Sequence, residues 1–332
     1  MHAFGRIVLL VGSAITCNLT IAIAPAQSSP GPIPAVIERG LAITPPGARE
    51  PQTMTLGEAI QRLNIPSTSI AVVEGNRIKW AGAFGGATTH TIYQAASISK
   101  LVAALRLVED GRLSLDGNVN RELTFWHLPA PVAVGTVPGT QYAYSGGGYE
   151  IVEALVEAAT QRSFAEAVEH LVFRPAGMRE SFYGSPPRAR RRQIATGHLA
   201  DGAALPGGWR EMPELAAAGM WSTPTDLAEL LIAIARAYQD RESTLLDRGV
   251  AAEMLKRQAV GPYGLGAAVS GSGRDIALMK GGQNIGYQSY LLLFPARGEG
   301  MVVMTNSDDG TTLALALVER AAIVLHWPAL GV

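Results

Sequence analysis

The sequence predicts an α/β (α+β) fold in which a discontinuous α/β domain holds an all-helical insert. Segments with strand character occur near both ends of the chain, and segments with helical periodicity occupy the middle. With 332 residues, 48% of them hydrophobic, the chain can bury a large core. We therefore assign residues 54–96 and 206–332 to the α/β domain and residues 97–205 to the helical insert.

The N-terminus has the pattern of an export signal. An apolar run from Ile7 to about Ala24 is followed by Ala24-Pro25-Ala26, which fits an A-x-A cleavage site. We expect residues 1–26 to be a signal peptide and the mature protein to be periplasmic or secreted. An uncleaved N-terminal membrane anchor is the alternative. The Ser/Pro/Gly-rich start of the mature chain predicts a flexible segment over residues 27–53.

The first structured part of the chain predicts a hairpin and then a helix. Residues 69–73 and 77–83 have strand character and are joined across Glu74-Gly75-Asn76. From Ser97 onward the apolar positions recur with helical spacing until Gly111, which predicts a helix that ends there.

The middle of the chain predicts helices over residues 148–160 and 164–172, and Pro175 is expected to stop the second one. Thr223-Pro224-Thr225-Asp226 is a strong helix start, because Thr223 suits the N-cap and Pro224 the first helical position. The apolar periodicity predicts that this helix continues to about Tyr238.

The last hundred residues predict strands and a closing helix. The strands are expected over residues 264–269, 275–280, 287–294 and 301–305, and the helix over residues 311–326.

Composition excludes several classes of function. The net charge of −1 and the pI of about 6.6 give no electrostatic footprint for nucleic acid, so we expect no nucleic-acid partner. The short basic run at residues 188–192 is typical of a solvated loop. The six histidines show no paired ligand spacing, which predicts no metal site and no cofactor. Cys17 lies within the predicted signal peptide, so the mature protein would have no thiol nucleophile.

Lysine usage points to a catalytic site. Only four of the 27 basic residues are lysines, and Lys100 closes an S-x-x-K pattern that begins at Ser97. Residues three apart on a helix lie on one face, so the Ser97 hydroxyl and the Lys100 amine can share a proton. A desolvated lysine can act as a base toward a serine, whereas arginine stays protonated.

Two further patterns follow in order along the chain. Tyr144 precedes three glycines at a helix start, and Lys280-Gly281-Gly282 is expected where a strand runs into a loop. Lys280 would place a positive charge near Tyr144 or near a substrate carboxylate. The adjoining glycines would let a strand edge lie against the substrate and offer a backbone N–H to an oxyanion.

With these motifs the chain resembles the serine β-lactamase-like hydrolases, the family of class C β-lactamases, penicillin-binding proteins and related esterases. The resemblance extends over most of residues 54–328. It rests on the segments 94–100, 107–116, 138–146, 217–227 and 280–282. It implies the β-lactamase/transpeptidase-like fold, an antiparallel sheet flanked by helices with a helical lobe.

The resemblance also implies a role for each site residue. Ser97 would be the acylated nucleophile, Lys100 its proton partner and Tyr144 the base that passes the proton to the leaving group. Lys280 would set the electrostatics of the tyrosine. The backbone N–H groups of Ser97 and Gln283 would form the oxyanion hole.

The chain departs from the family pattern in three places. The helix after Lys100 reaches Gly111 about one turn early. A segment that the family usually has between Trp126 and Pro138 is missing, so the helical lobe is shortened. Gly146 stands where β-lactamases usually carry Asn, which argues against penicillinase activity.

Two functions therefore stay open. The first is a hydrolase that acts through a Ser97 acyl intermediate on a small ester, amide or β-lactam, including a peptidoglycan-like substrate, with no obligate protein partner. The second is a catalytically silent cell-wall or ligand-binding relative whose cleft was lost with the missing segment.

Overall fold

The structure is a computed structural model that describes residues 33–103, 111–114, 123, 137, 140–258 and 260–329. Three regions discussed above lie wholly or mostly outside the described residues. They are the predicted signal peptide, the second half of the helix predicted from Ser97 to Gly111, and the region between Trp126 and Pro138. Within the described ranges, no helix has the length and apolar character required to cross a membrane.

The helices and strands are numbered in chain order. The α-helices are α1 (Ile33–Ile37), α2 (Leu56–Arg62), α3 (Ser99–Val102), α4 (Gly147–Thr160), α5 (Phe164–Val168), α6 (Arg174–Ala176), α7 (Leu215–Ala218), α8 (Pro224–Tyr238), α9 (Arg248–Met254) and α10 (Gly310–Val324). The strands are β1 (Leu41–Ile43), β2 (Gln52–Met54), β3 (Thr68–Val73), β4 (Ile78–Phe84), β5 (Tyr93–Gln94), β6 (Phe182–Tyr183), β7 (Met220–Ser222), β8 (Ala268–Ser270), β9 (Ala277–Asn284), β10 (Tyr287–Phe294) and β11 (Glu299–Thr305).

A six-stranded antiparallel sheet joins the two ends of the chain. Its strand order is β4-β3-β11-β10-β9-β8, so the early hairpin pairs with the last strand of the chain through β3 and β11. The predicted hairpin is confirmed, since β3 and β4 are antiparallel neighbours. A smaller sheet, in the order β5-β7-β6, lies beside the turn that carries Ser97.

The sheet is buried on both faces, which explains its continuous apolar strands. In β3, Ile70 and Val72 belong to the core on the α10 side, whereas Ala71 and Val73 belong to the core on the α8 side. Successive residues of a strand point to opposite faces, so both sets must be apolar when helices cover both faces. This layered arrangement matches the predicted antiparallel sheet flanked by helices.

Helix α8 begins where the sequence predicts. The Thr223 hydroxyl accepts a hydrogen bond from the backbone N–H of Asp226 at 3.1 Å, and Pro224 occupies the first turn. The Asp226 carboxylate accepts hydrogen bonds from the Glu180 backbone N–H at 2.8 Å and from the Ser181 hydroxyl at 2.7 Å. Burial raises the pKa of this carboxyl group despite these hydrogen bonds.

The segment predicted to be flexible contains helix and strand from residue 33 onward. Ile37, Leu41 and Ile43 are fully buried in the core beneath α10, and β1 pairs with β2. The sequence analysis did not anticipate α1, β1 and β2, and the flexibility of the segment stays a prediction. Its Pro and Gly content was given too much weight against the short apolar stretches, which pack against α10.

Pro175 does not stop the helix before it. The chain passes from α5 through a π-helical turn at Glu169–Phe173 into α6, where Pro175 occupies the first turn. Proline is compatible with this position, because the N–H that it lacks is not required at the start of a helical segment. The helix ends instead at Gly177, whose φ of 77° is left-handed.

Two predicted strands have different ends in the structure. Strand β8 begins only at Ala268, and β9 continues four residues beyond Lys280 to Asn284. Lys280-Gly281-Gly282 therefore lies within a strand and not at its end. The glycines were expected where the strand runs into a loop, but pairing with Leu291, Tyr290 and Ser289 of β10 keeps this stretch extended.

Gly282 lets β9 approach the backbone just before Ser97. A Cβ atom at Gly282 would lie 2.2 Å from the Ala95 carbonyl oxygen and 2.4 Å from the Ser289 hydroxyl oxygen. The Ser289 hydroxyl donates to that same carbonyl at 3.0 Å. The close approach of sheet and turn therefore requires glycine at this position.

The substitution Gly282→Ala is expected to destabilise the protein by about 2 kcal/mol or more, because the methyl group would collide with backbone and push β9 from the Ser97 turn. Gly281→Ala is the matched control, since its Cβ would meet only a Tyr290 ring carbon at 3.8 Å. This control should change the free energy of unfolding by less than about 0.5 kcal/mol. Urea unfolding of both variants measures the difference, and equal stabilities would contradict the packing argument.

Candidate active site

Ser97 lies on a strained turn that leads into a helix. Ala96–Ile98 form a single 3₁₀ turn, and α3 follows directly. Ala96 has a φ of 49°, a left-handed conformation that costs an alanine about 1 kcal/mol or more. The surrounding hydrogen bonds hold it: the Ala95 N–H donates to the Met220 carbonyl at 2.8 Å, and the Ser99 hydroxyl donates to the Ala96 carbonyl at 2.6 Å.

Ser99 anchors this turn to the smaller sheet. Its side chain is fully buried, and its hydroxyl accepts a hydrogen bond from the Met220 backbone N–H at 3.1 Å. The Tyr183 hydroxyl donates to the Ser99 carbonyl at 3.3 Å. Sequence reasoning gave Ser99 no role. Its place between Ser97 and Lys100 was visible, but the strand that receives its contacts is 121 residues away in sequence.

The structure brings Ser97, Lys100 and Tyr144 together. The Ser97 Oγ lies 2.7 Å from the Tyr144 Oη and 3.1 Å from the Lys100 Nζ. Lys100 is 4% exposed, and its Nζ also donates to the Ala217 carbonyl at 2.5 Å. The serine hydroxyl therefore has two neighbours that can exchange protons with it, at hydrogen-bond distance.

Helix α7 connects the lysine to the helix that follows Tyr144. The Ala217 carbonyl of α7 holds the Lys100 amine, and the neighbouring Ala216 N–H donates to the Glu153 carboxylate on α4 at 2.9 Å. The ring of Tyr149, also on α4, lies with its centroid 5.4 Å from the Lys100 Nζ. Sequence reasoning missed Tyr149, although its buried position one turn into α4 was a usable signal.

Lys280 is the second buried lysine of the site. It is 3% exposed, and its Nζ lies 5.8 Å from the ring centroid of Tyr144 and 5.2 Å from that of Tyr263. Burial, with the charge of Lys100 as a smaller cause, lowers the pKa of Lys280 to about 7. No carboxylate among the described residues forms an ion pair with it.

An aromatic pair that sequence reasoning missed borders Lys280. Tyr142 and Tyr263 are stacked, with centroids 5.5 Å apart and an angle of 20° between the rings. The Tyr142 side chain also packs against Gly261, where a Cβ would approach two ring carbons to 2.8 Å. Burial raises the pKa values of both phenols, so both are neutral over the physiological range. In the sequence, only the position of Tyr142 two residues before Tyr144 indicated that this pair borders the site.

The residues named for oxyanion and substrate binding lie beside this group. Gly146 is exposed, and its missing Cβ would meet open space. Gln283 points its side chain away from the core and donates to the Thr311 hydroxyl at 3.3 Å. Because Gly282 contacts the backbone of Ala95, β9 runs next to the Ser97 turn. The assignment of the oxyanion hole to the N–H groups of Ser97 and Gln283 stays a prediction.

The described ranges contain no group of three or more His, Cys, Asp or Glu side chains that could hold a metal ion. The polar groups converging on Ser97 within those ranges are the phenol and the amine described above.

Comparison with known proteins identifies the family. The family model described as Beta-lactamase matches residues 53–131 and 121–325. The two matched ranges overlap at residues 121–131, around Trp126, after which the resemblance predicts a missing segment. A D-aminopeptidase of Gluconobacter oxydans (strain 621H) is 26% identical over 193 residues, which is 56% of this chain and 35% of the relative. The chain thus spans about a third of the length of that curated relative.

Solved structures share the fold. An octameric penicillin-binding protein homologue from Pyrococcus abyssi superposes with a TM-score of 0.68 at 19% identity, covering 82% of this chain and 76% of the homologue. The D-alanine carboxypeptidase AmpC from Burkholderia cenocepacia gives a TM-score of 0.64 at 17% identity, covering 80% and 96%. With a family match that includes nearly all of the described chain, and with this shared fold, the protein belongs to the Beta-lactamase family of serine hydrolases.

Proposed function

We propose that the protein is an acyl-transfer hydrolase that opens an ester or amide bond through a covalent intermediate on Ser97. The observation that carries the proposal is the position of the Ser97 Oγ, within hydrogen-bond distance of both the Tyr144 Oη and the Lys100 Nζ. A serine hydroxyl requires such a neighbour to accept its proton before it can attack a carbonyl carbon.

The proposed reaction has two steps. In the first, the Ser97 Oγ forms a bond to the substrate carbonyl carbon, and its proton passes through the Tyr144–Lys100 pair to the leaving nitrogen or oxygen as that bond breaks. In the second, a water molecule gives a proton to the same pair and attacks the ester carbon. The bond to Ser97 Oγ then breaks, and the hydroxyl regains its proton. Backbone N–H groups at the Ser97 turn would stabilise the oxyanion of each step.

Lys280 favours a substrate that carries a carboxylate. A buried ammonium group without an anionic partner leaves charge unbalanced, and a bound carboxylate would balance it. The D-aminopeptidase relative and the carboxypeptidase neighbour support small peptides with D-amino acids as the class to test first. The open space at Gly146, where no side chain is present to contact an acylamino group, argues against penicillins as the natural substrate.

Ser97→Ala is expected to abolish covalent labelling, because the variant lacks the only atom that the proposal acylates. Intact mass after incubation with a fluorophosphonate, and separately with a labelled penicillin, measures the adduct. Peptide mapping should place the wild-type adduct on Ser97. Ser272→Ala is the control, since Ser272 is exposed and its side chain caps no helix, and it should be labelled like the wild type. Absence of an adduct from folded wild-type protein with either reagent would support the catalytically silent alternative.

Lys100→Arg is expected to lower kcat by about 10²- to 10⁴-fold, the usual contribution of a proton-transferring group. Arginine keeps the charge but cannot release a proton at physiological pH. Lys79→Arg is the matched control, because Lys79 lies on the surface and pairs with Glu74, and it should retain full turnover. Near-normal turnover by the Lys100 variant would show that this lysine is structural.

The preference for a carboxylate should fall as the pH rises through about 7. Lys280 is an ammonium group below its pKa of about 7 and a neutral amine above it. We expect kcat/KM for N-acetyl-D-alanyl-D-alanine, divided by that for its C-terminal carboxamide, to fall about fivefold between pH 7 and 8 and about tenfold per pH unit above that. Dividing the two kcat/KM values removes the pH dependence of the proton-transferring groups, because both substrates share it. A ratio that is constant between pH 6 and 8 would contradict carboxylate binding by Lys280.

A further inference from the structure

Lys280 depends on the face of a neighbouring aromatic ring. Its Nζ lies 5.2 Å from the centroid of Tyr263, and within the described residues it has neither an ion pair nor a hydrogen bond to a carboxylate. A cation over the face of a tyrosine ring within about 6 Å is stabilised, and more strongly when the pair is desolvated. At 3% exposure Lys280 meets that second condition.

The orientation of the Tyr263 ring is fixed by its own packing. Tyr142 stacks on it at 5.5 Å, and Tyr142 in turn lies against Gly261, which has a φ of 89° and no room for a side chain. The turn and the stacked ring therefore hold one face of Tyr263 toward the lysine. The other ring beside Lys280, that of Tyr144, has a centroid 5.8 Å from the Nζ and belongs to the candidate active site itself.

The charged and titratable groups around the lysine come from α3, α4, β10 and the two loops that carry Tyr142 with Tyr144 and Tyr263. Lys100 on α3 opposes the second positive charge, and Tyr144 and Tyr263 contribute ring faces. Tyr142, Tyr149 and Tyr290 lie beside those rings. Burial raises the pKa of Tyr290 to about 12, with Tyr263 as a smaller cause, so this phenol stays neutral where Lys280 titrates. Of the two described rings whose faces lie near the Lys280 ammonium group, Tyr263 is the one that does not contact Ser97.

We propose that Tyr263 is a positioning residue that keeps Lys280 in its charged, substrate-binding form, with Tyr142 locking the ring in place. Burial and Lys100 both favour the neutral amine, and the Tyr263 ring face opposes them. The chain has no carboxylate in the described surroundings of Lys280 that could do the same. The working pH range of the site would then be set by the stacked pair of Tyr142 and Tyr263, which lies outside the S-x-x-K and Lys-Gly-Gly motifs.

The first test measures the titration of Lys280 directly, in the protein without substrate. Because the sequence has only four lysines, uniform ¹³C labelling at lysine Cε gives four NMR signals, and Lys280→Met assigns the one in question. Tyr263→Leu removes the ring face but keeps an apolar side chain there, so the Lys280 midpoint should fall from about 7 to about 6. Lys79 and Lys256, which pair with Glu74 and Glu253 on the surface, are internal controls whose signals should be the same in every variant.

Two further variants separate the ring face from other effects. Tyr263→Phe keeps the face and loses only the hydroxyl, so its midpoint should stay within about 0.3 pH unit of the wild type. Tyr263→Met is a second apolar replacement, to be used if the leucine variant folds poorly. Its Lys280 midpoint should fall by the same amount. An unchanged midpoint in the leucine and methionine variants, or an equal fall in the phenylalanine variant, would overturn the proposal.

The kinetic consequence rests on the proposed function and is measured separately. At pH 7 a midpoint of 6 leaves about a tenth of Lys280 charged instead of about half, so the carboxylate-to-carboxamide ratio of kcat/KM should fall about fivefold in Tyr263→Leu and be restored in Tyr263→Phe. A shifted NMR midpoint without this change in the ratio would support the role of Tyr263 and overturn carboxylate binding by Lys280. An unshifted midpoint would overturn the role of Tyr263, whatever the kinetics.

Discussion

The site depends on burying two lysines near each other, neither of which forms a salt bridge with a carboxylate among the described residues. Lys100 and Lys280 are 4% and 3% exposed, and both amines lie within 6 Å of the centre of the same phenol ring. Such an arrangement is unfavourable unless other groups accept hydrogen bonds or present electron-rich faces. Here the Ala217 carbonyl and the Ser97 hydroxyl receive Lys100, and ring faces receive Lys280. The anionic substrate that we propose would balance this charge.

The position of Ser97 follows from backbone contacts more than from side-chain packing. The left-handed Ala96 is maintained because the neighbouring Ala95 is hydrogen-bonded to β7 through its N–H and to the Ser289 hydroxyl of β10 through its carbonyl. Gly282 permits the second contact, and the Asn284 amide extends it by donating to the Gln94 side chain at 2.6 Å. The strain at Ala96 is thus supported by rigid strands, as expected where a reactive group must be presented at a fixed angle.

Sequence patterns predicted the parts of this molecule whose signals are local. The hairpin of β3 and β4, the capped start of α8 and the pairing of Ser97 with Lys100 all depend on residues a few positions apart. The errors arose where a distant partner overrides a local signal. Pairing with β10 keeps Gly281 and Gly282 extended, and the short apolar stretches within residues 33–53 pack against α10. Ser99, Tyr149 and Tyr263 were missed for the same reason, because each acts on a partner from another element.

The four candidate catalytic residues differ in how close their supporting elements lie to the segment that the resemblance predicts to be missing after Trp126. Ser97 and Lys100 are held by β7, α7 and β9, and Lys280 lies within β9, so all three are anchored to parts of the chain that the deletion leaves intact. Tyr144 alone follows the shortened region directly, and its described contacts are with Ser97, Lys100 and Lys280. The described support of the Ser97 turn therefore comes from elements outside the shortened region. The stacked Tyr142 and Tyr263 border Lys280, and Tyr142 lies only two residues before Tyr144. The contacts of Ser97 and Lys100 are thus independent of the shortened region, whereas part of the surroundings of Lys280 comes from residues close to it in sequence.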